Sequence, residues 1–430
     1  MRFAKHLVLL LILLFLVLPF FQSHLPLVQE QKLAGFFKLA DPPSWNLFTY
    51  QEWFAGTFQD QISQGLEDHI GFRSTLFRLH NEYDYRLFGI THAQGFIQGK
   101  EGYLFEEDYI LEYTGDYFIG KKTIDYKLEK LQQVYRQLEK AGIPFLLVFE
   151  PGKASFFPEY IPDRYHPEDK TISNYDYITH RVNELGIPSM DFNQLFIQMK
   201  DTSPYPLFPK YGMHWSIYGA VVASDTINNY LEFICETKLP EIGISNIDVS
   251  DSLRWTDKDI GDMLNLIFPL PPDTMAYPVL TFDSSSGKQL SVLVIADSYY
   301  VNIIHDVSGH IFKNQEYWYY NSKLYPHIID DDNPVYVDKR FLKDKLMEFD
   351  VILLMVSEIN LHCGFWNFAD EAFQAFYPDH QDPPWYPDQN KILNERDWFR
   401  FMVSKAKESH LTLEDVIIRD AKYIYQSKNH

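Results

Sequence analysis

Three short runs of apolar residues restrict most strongly what this chain can fold into. They lie at residues 144–149 (PFLLVF), 292–296 (VLVIA) and 351–356 (VILLMV). Runs of this length that are apolar throughout are typical of strands buried on both faces of a parallel sheet. Elsewhere, apolar residues recur at helical spacing, for example over 128–138 and 175–185. This alternation predicts an α/β fold, with a mainly parallel sheet and helices on both of its faces.

The chain begins with a segment of a different kind, residues 1–25. Arg2, Lys5 and His6 precede an apolar run over residues 7–21, which is the pattern of a secretory signal. The run is shorter than the roughly 20 residues of a membrane-spanning helix, and the residues after it do not supply a small-x-small cleavage pattern. We favour an uncleaved signal anchor in the inner membrane, with a cleaved signal peptide as the alternative. Either one places the rest of the chain outside the cytoplasm, in the periplasm or at the cell surface.

The charge balance argues against one class of partner. The chain has 59 acidic and 38 basic residues, a formal net charge of −21. Such a surface repels phosphate backbones, so nucleic-acid binding is not expected. Aromatic residues make up 17% of the chain, which fits either a large core or surfaces that stack on sugar rings.

No spacing in the sequence is typical of a metal or cofactor site. The two cysteines, Cys235 and Cys363, are far apart, so they form neither a metal-ligand pattern nor a redox pair. They could form one disulfide or remain two buried thiols. Phosphate-binding glycine loops and paired catalytic carboxylates are not recognisable, and we expect neither a metal nor a cofactor.

Beyond residue 25 the chain divides by composition and periodicity. A polar linker over 26–44 leads to the main domain, 45–360, whose first part, 45–92, has the spacing of a helical lead-in. An irregular stretch over 236–290, with a cluster of prolines, is interpreted as an insertion or an extended loop. Residues 361–430 are aromatic and then helical, and we expect them to form a packing element or a lid.

One serine lies where an open α/β sheet binds ligands. Ser298 follows the apolar run 292–296, in VLVIADSYY, and therefore lies at the carboxyl edge of the predicted sheet. Its hydroxyl could act there as a nucleophile, and its own N–H could stabilise an oxyanion. The alternative is a serine that only caps a helix, which is common.

Two further residues lie in loops near the same predicted edge. His214 precedes a helix capped by Ser216, and from such a loop it could serve Ser298 as general base. The alternative is a structural or surface histidine. Lys153 follows the run 144–149, where it could contact substrate or be an ordinary loop residue, and the second interpretation is favoured.

Several segments together resemble a known family. In chain order they are GYLF at 102–105, PGKASFFPEYIP at 151–162, GMHWSIYGA at 212–220 and ADSYY at 296–300. This order resembles that of the alginate-type polysaccharide O-acetyltransferases, also called the DHHW group, which have an SGNH-hydrolase-like domain. A helical lead-in and two later segments are also similar, at 66–89, 258–266 and 349–361. The resemblance extends over residues 45–361.

The resemblance implies a specific chemistry. Ser298 corresponds to the family's nucleophile, and His214 to its base, which precedes the serine in the chain. An acetyl group carried on Ser298 would pass to a hydroxyl of an exported polysaccharide. The acetyl donor would arrive through a membrane-bound acyltransferase partner. Trp215, Lys153 and Tyr299 are the candidate residues for contact with substrate.

One departure from the family concerns Gly212. The family has its catalytic acid two positions before the histidine, and glycine has no side chain to orient an imidazole. In a Ser-His-Asp triad, replacing the acid lowers the rate by about 10⁴-fold. Three interpretations stay open: another carboxylate supplies the role, a Ser-His dyad works slowly, or the site has degenerated.

These interpretations lead to two classes of function. The first is a Ser-dependent O-acetyltransferase, or a carbohydrate esterase if water rather than a sugar hydroxyl takes the acyl group. The second is a catalytically degenerate glycan-binding or assembly component of a polysaccharide export or modification system. The ordered motifs favour the enzyme.

Overall fold

The secondary structure is taken from a computed structural model, which describes residues 2–25, 27–35, 39–42, 44, 46, 48–283, 287–328 and 333–428. The predicted start of the helical lead-in at Trp45 and parts of the predicted linker lie outside the described residues.

The α-helices, in chain order, are α1 (Arg2–His24), α2 (Tyr50–Ala55), α3 (Thr57–His69), α4 (Arg73–Phe88), α5 (Glu107–Thr114), α6 (Lys121–Lys140), α7 (Lys153–Phe156), α8 (Asn174–Leu185), α9 (Phe192–Met199), α10 (Ile217–Ile234), α11 (Asp259–Met263), α12 (Tyr300–Ile303), α13 (Gly309–Ile311), α14 (Leu342–Leu346), α15 (Phe368–Phe376), α16 (Tyr386–Asn394), α17 (Arg396–Ser409) and α18 (Leu413–Lys428).

The β-strands are β1 (Phe96–Gln98), β2 (Leu104–Glu106), β3 (Phe145–Glu150), β4 (Ser189–Asp191), β5 (Glu241–Ser250), β6 (Met275–Asp283), β7 (Leu290–Ala296), β8 (Phe312–Tyr319), β9 (Lys323–Leu324) and β10 (Val351–Ser357). Short 3₁₀ helices span Lys100–Gly102, Pro158–Tyr160, Asp163–Tyr165, Pro167–Asp169, Trp255–Lys258, Glu358–Cys363 and Phe365–Asn367, and a π-helical turn spans Ile304–Ser308.

The chain divides into two compact units. The first unit comprises Met1–Gln98 and Asp259–Pro271, and the second comprises Gly99–Lys258 and Pro272–His430. A part of the predicted insertion therefore belongs with the helical lead-in.

Hydrogen bonds between α4 and residues 264–268 explain why the segment Asp259–Pro271 belongs to the first unit. The Asn81 amide donates to the carbonyl oxygen of Leu264 over 2.9 Å. The Glu82 carboxylate accepts the N–H groups of Ile267 and Phe268 over 3.0 and 3.1 Å. These side chains satisfy backbone groups of a segment that has little regular structure of its own.

Helix α1 is long and apolar enough to cross a membrane over Lys5–His24. Its apolar side chains are largely exposed, as for Phe15 at 76% and Leu16 at 71%. A continuous exposed apolar surface of this kind needs an apolar environment.

The second unit is built on a six-stranded sheet in the order β4-β3-β10-β7-β8-β9. Neighbouring strands from β4 to β8 run parallel, and β9 is antiparallel to β8. Every residue of β3, β7 and β10 is buried, as expected for strands covered on both faces. The three apolar runs therefore form the centre of the sheet, and the predicted α/β fold with a mainly parallel sheet is confirmed.

Two features of this unit differ from the sequence-based expectation. Strand β8 was not predicted, because its sequence FKNQEYWY mixes exposed polar residues with buried Tyr317 and Trp318. The stretch 236–290 was expected to be irregular, but β5 and β6 pair there as a long antiparallel ribbon. Both strands of this ribbon are half exposed, so their sequences lack the apolar runs of the central sheet.

The main hydrophobic core joins one face of the sheet to helices from distant parts of the chain. It contains Leu131 of α6, Phe145 and Leu147 of β3, and Phe399 and Met402 of α17. Burial of each such side chain contributes about 1.5–3 kcal/mol. Residues beyond 361 thus share the core of the sheet.

The two cysteines are free thiols. Cys363 is buried with its sulfur 3.3 Å from His362 Nε2. The His362 ring stacks on Phe399 at 4.0 Å between centroids, and burial lowers the pKa of His362 to about 4. Cys363 is thus a small buried side chain within the core.

Candidate functional site

Ser298 lies in the turn between β7 and α12, at the carboxyl end of a central strand. Among residues 290–300 it is the one that is not buried. The chain leaves the sheet here after Ala296 and starts a helix at Tyr300. Its side chain is therefore within reach of a ligand at the edge where open α/β sheets bind ligands.

His214 lies beside this serine. Its Nε2 atom is 2.8 Å from Ser298 Oγ, and the imidazole is 7% exposed. Ser216 caps α10 by accepting the N–H of Gly219 over 2.8 Å, which fixes the loop two residues after the histidine. In the tautomer with a proton on Nδ1, Nε2 accepts the hydrogen bond from the serine hydroxyl. This is the geometry of a nucleophile beside its general base.

Tyr299 connects the loops that carry these two residues. Its hydroxyl donates to the carbonyl oxygen of Met213 over 3.0 Å and accepts a hydrogen bond from Tyr109 over 3.2 Å. Its ring packs edge-on against His214 at 4.9 Å and against Trp215 at 5.2 Å between centroids. Tyr299 thus fixes the distance between the turn that carries Ser298 (the serine turn) and the loop before α10 that carries His214 (the histidine loop).

Asp297 anchors the serine turn to neighbouring strands. Its Oδ2 atom accepts the Ser357 N–H over 3.0 Å, the Ser357 hydroxyl over 2.6 Å and the Asn360 amide over 2.8 Å. Its main-chain oxygen accepts the Tyr317 hydroxyl over 2.6 Å. The aspartate next to the serine is therefore a buried structural group, held between β8 and the end of β10.

A second buried carboxylate lies near Asp297. Glu150, the last residue of β3, is 0% exposed. Burial raises the pKa of Glu150 well above its ordinary value, and the charge of Asp297 raises it further. Burial and the nearby charge of Asp297 therefore both favour the protonated form of Glu150.

Lys153 stabilises the histidine loop by hydrogen bonds to its main chain. Its Nζ atom donates to the carbonyl oxygens of Lys210 and Gly212, over 2.9 and 2.6 Å. The side chain is 1% exposed, so its ammonium group contacts the protein interior.

Gly212 has no room for a side chain. A Cβ atom at this position would lie 2.0 Å from the carbonyl oxygen of Thr256, far inside the contact distance of two atoms. The family's acid therefore has no equivalent at residue 212 in this fold.

Glu106 is a buried carboxylate that interacts electrostatically with His214. It is 7% exposed and forms an ion pair with Arg396 of α17. Burial raises the pKa of Glu106, and the charges of Arg396 and His214 act in the opposite direction. A residue from the C-terminal helices thus contributes to the electrostatics of the site.

The three residues expected to contact substrate are all buried. Trp215 is 0% exposed and packs against Phe192 and Phe196 of α9. Trp215, Lys153 and Tyr299 therefore all pack beneath the surface, in or against the histidine loop.

Tyr320 is a neighbour of Ser298 that sequence reasoning did not identify. Burial raises the pKa of Tyr320, and a hydrogen bond with Ser298 opposes that shift. Its N–H donates to the carbonyl oxygen of Ala296 over 2.8 Å. No motif marked this tyrosine, because β8 itself was not predicted.

Two groups of side chains within the described residues have the spacing of metal ligands. One is His80, Asp84 and His92, and the other is His166, Glu168 and Asp169. All except Asp84 are exposed.

The chain is similar in part to known proteins. Residues 96–247 match the family model described as "SGNH hydrolase-like domain, acetyltransferase AlgX". The matched range includes His214, and Ser298 lies beyond it. The "Probable alginate O-acetylase AlgJ" of Pseudomonas aeruginosa is 28% identical over 190 residues, which are 44% of this chain and 44% of that protein. The chain thus matches less than half the length of this relative.

Two solved structures are also similar. The O-acetyltransferase domain of Pseudomonas putida AlgJ has a TM-score of 0.40 and 14% identity, over 62% of this chain and 92% of that one. Pseudomonas aeruginosa AlgX has a TM-score of 0.42 and 14% identity, over 69% of this chain and 71% of that one. The match to the family model over residues 96–247 confirms the predicted resemblance to the SGNH-hydrolase-like acetyltransferases.

Proposed function

We propose that this protein transfers acetyl groups to hydroxyl groups of an exported polysaccharide through an acetyl ester on Ser298. The observation that carries the proposal is the 2.8 Å contact between His214 Nε2 and Ser298 Oγ. It is supported by the position of a partly exposed serine at the carboxyl edge of a parallel sheet.

The first half of the reaction forms the acyl-enzyme. Ser298 Oγ attacks the carbonyl carbon of the acetyl donor while His214 Nε2 takes the hydroxyl proton. When the tetrahedral intermediate collapses, the bond to the leaving group breaks, and His214 gives its proton to that group. The acetyl group is then an ester of Ser298.

The second half transfers the acetyl group. A sugar hydroxyl attacks the ester carbonyl, and His214 takes its proton. Ser298 Oγ leaves and recovers a proton from His214, so the enzyme returns to its starting state. Attack by water instead gives an esterase with the same residues.

The N-terminal helix fits a function at the membrane. We place α1 in the inner membrane as an anchor, because Lys5–His24 has the length and composition of a span. The second unit then lies outside the cytoplasm, where a membrane-bound acyltransferase partner supplies acetyl groups. Carbonate extraction of membranes containing the full-length chain tests the anchor, and release of the protein into the supernatant would contradict it.

The second candidate function is glycan binding or assembly without chemistry. The glycine at position 212, where the family has its acid, is the observation in its favour. A binding protein has no need to hold a serine hydroxyl at hydrogen-bond distance from a histidine, so the enzyme is favoured.

A transfer assay distinguishes these functions. The full-length protein in detergent is incubated with p-nitrophenyl acetate and a panel of oligosaccharides, which are then examined by mass spectrometry. Acetylated oligosaccharide that is absent with Ser298→Ala supports the transferase. Serine-dependent release of acetate without acetylated sugar supports the esterase. If neither acetate nor acetylated sugar is formed, the result supports the binding protein.

A further inference from the structure

The space beside Gly212 is filled by a distant part of the chain. A Cβ atom at Gly212 would lie 2.0 Å from the carbonyl oxygen of Thr256 and 3.1 Å from the carbonyl carbon of Asp257. The 3₁₀ turn Trp255–Lys258 therefore lies where the family carries its acid. This turn itself brings an acidic residue, Asp257, to the histidine loop.

The Asp257 side chain is directed towards the start of α10. It is 0% exposed, and its Oδ1 atom accepts the N–H of Ile217 over 3.3 Å. Ile217 is three positions after His214, and Gly212 is two positions before it. Asp257 thus contacts the chain on both sides of the histidine, within one short loop.

The same turn is also connected to the serine side of the site. The Asn302 amide donates to Thr256 Oγ1 over 2.9 Å, and Asn302 belongs to α12, which follows Ser298 closely. The turn, the histidine loop and the serine helix therefore form one hydrogen-bonded group. A shift of Asp257 relative to His214 would have to break contacts with both.

The buried carboxylate of Asp257 needs stabilising contacts. Charged groups are rarely left in an interior unless hydrogen bonds or opposite charges stabilise them. The Tyr277 pKa is raised by burial and then by the charge of Asp257, which indicates that the tyrosine hydroxyl also lies near this carboxylate. The N–H of Ile217 and the hydroxyl of Tyr277 are thus two groups near the Asp257 carboxylate.

We propose that Asp257 is the positioning residue of the site, and that its carboxylate accepts a hydrogen bond from Nδ1–H of His214. The inference rests on the proposed function of Ser298 and His214, and it assigns the role that Gly212 cannot fill. A carboxylate at Nδ1 selects the tautomer in which Nε2 accepts the serine proton, and it stabilises the imidazolium that then forms.

Glu106 is the competing carboxylate. Its charge interacts with His214, but it is also ion-paired with the guanidinium of Arg396. Glu106 therefore already has an ion-pair partner in Arg396, which it shares with Asp108. Asp257 is assigned because its turn occupies the position of the missing acid.

The test compares matched carboxylate-to-amide variants of the full-length protein in detergent. Asp257→Asn keeps the side-chain shape and is expected to lower the rate of acyl-enzyme formation by about 10³–10⁴-fold. Asp257→Glu keeps the charge and should retain more activity than Asp257→Asn. Asp350→Asn is the control. The Asp350 carboxylate accepts the Ser291 N–H over 2.8 Å, and Asp350 lies just before β10, at the end of this strand opposite to Ser357.

A measurement without substrate separates this inference from the proposed function. In protein labelled with ¹⁵N-histidine, the His214 Nδ1 proton should resonate at low field, and Asp257→Asn should move it upfield. Asp350→Asn should leave it in place. This signal reports the hydrogen bond even if Ser298 forms no acyl-enzyme.

The outcomes are distinct. An upfield shift of the His214 Nδ1 proton together with the loss of rate supports the assignment. If the wild type is inactive, the shift alone still supports the assignment, and the inactivity counts only against the proposed function. An unchanged His214 resonance in a folded Asp257→Asn protein would overturn the assignment, as would loss of the signal in Glu106→Gln instead. If Asp257→Asn does not fold, Asp257→Glu is compared with Glu106→Gln by the same resonance.

Discussion

The Nε2 atom of His214 lies 2.8 Å from the Oγ atom of Ser298, although the two residues are 84 positions apart in the chain. Neither residue is held by its own element alone. Tyr299 bonds to the histidine loop, Lys153 bonds to carbonyl groups of the same loop, and Asp297 ties the serine turn to the end of β10. The proposed catalytic pair depends on these buried contacts, and each contact gives a prediction.

Lys153→Met should destabilise the protein and slow acylation. The substitution removes two hydrogen bonds from a charged donor, to the carbonyl groups of Lys210 and Gly212, and such bonds contribute about 1.5–3 kcal/mol each. The Lys210 carbonyl keeps the N–H of Leu104 as a donor. We expect the free energy of unfolding to fall by about 2–4 kcal/mol, measured by urea denaturation. Lys238→Met is the control, because Lys238 is exposed and forms only a surface ion pair with Glu232. A Lys153→Met protein as stable as that control would contradict this account of the loop.

Asp297→Asn should affect the serine turn without touching substrate. An amide has one acceptor oxygen, whereas the Asp297 carboxylate accepts from Ser357, Asn360 and the N–H of Tyr299. At least one buried donor is left without its acceptor, so we expect a loss of about 2–3 kcal/mol in the free energy of unfolding. Thermal and chemical denaturation measure it. Asp338→Asn, at an exposed position paired with Arg340, should change stability little, and equal effects at the two positions would refute the anchoring role.

Arg396→Ala tests whether the C-terminal helices belong to the site-bearing unit. Arg396 pairs with Glu106 and Asp108, whose side chains are 8% and 7% exposed. Since Arg396 itself is half exposed, solvent reduces the effect, and we expect a loss of about 2–3 kcal/mol. Arg340→Ala, at an exposed ion pair, is the control. Denaturation curves that coincide for the wild type and Arg396→Ala would show that this ion pair contributes nothing.

Glu112 should make stability depend on pH. Burial raises its pKa from 4.5 to about 7, against the lowering effect of hydrogen bonds from Asn174 and the N–H of Tyr175. The folded state thus keeps a proton that the unfolded state loses, so this stabilisation is complete below about pH 4.5 and is lost as the pH rises through about 7. The variant Glu112→Gln is neutral throughout. The difference in unfolding free energy between wild type and variant should therefore shrink by on the order of 3 kcal/mol between about pH 4 and pH 8.

Denaturant unfolding at several pH values measures this difference. Glu168→Gln, at an exposed position, is the control and should give curves parallel to the wild type. A Glu112→Gln difference that is constant over the whole range would show that Glu112 ionises alike in the folded and unfolded states.

The central sheet and the serine–histidine pair were predictable because their signals are local. Strands β3, β7 and β10 are apolar at nearly every position, and Ser298 lies two residues after the end of β7. Ser216 marks the start of α10 and so places His214 in a loop. Strand β8, with its mixture of polar and aromatic residues, gave no comparable signal.

The supporting contacts were not predictable because they join residues that are distant in the chain. Glu106 and Arg396 are 290 positions apart, and Ile217 and Asp257 are 40 positions apart. Nothing in the sequence near Gly212 indicates which carboxylate could take the place of the missing acid. Lys153 was expected at the correct edge of the sheet, but only the fold shows that its ammonium group lies under the histidine loop.

Acyl-enzyme trapping tests the central claim most directly. The full-length protein in detergent is treated briefly with p-nitrophenyl acetate, and its intact mass and peptide map are recorded, with Ser298→Ala as the negative variant. Ser409→Ala, which removes an exposed serine at the end of α17, is the matched control. The account predicts one acetyl group on the peptide containing Ser298, present in the wild type and Ser409→Ala and absent from Ser298→Ala. An adduct that maps elsewhere, or that persists in Ser298→Ala, would contradict the role of Ser298 as nucleophile.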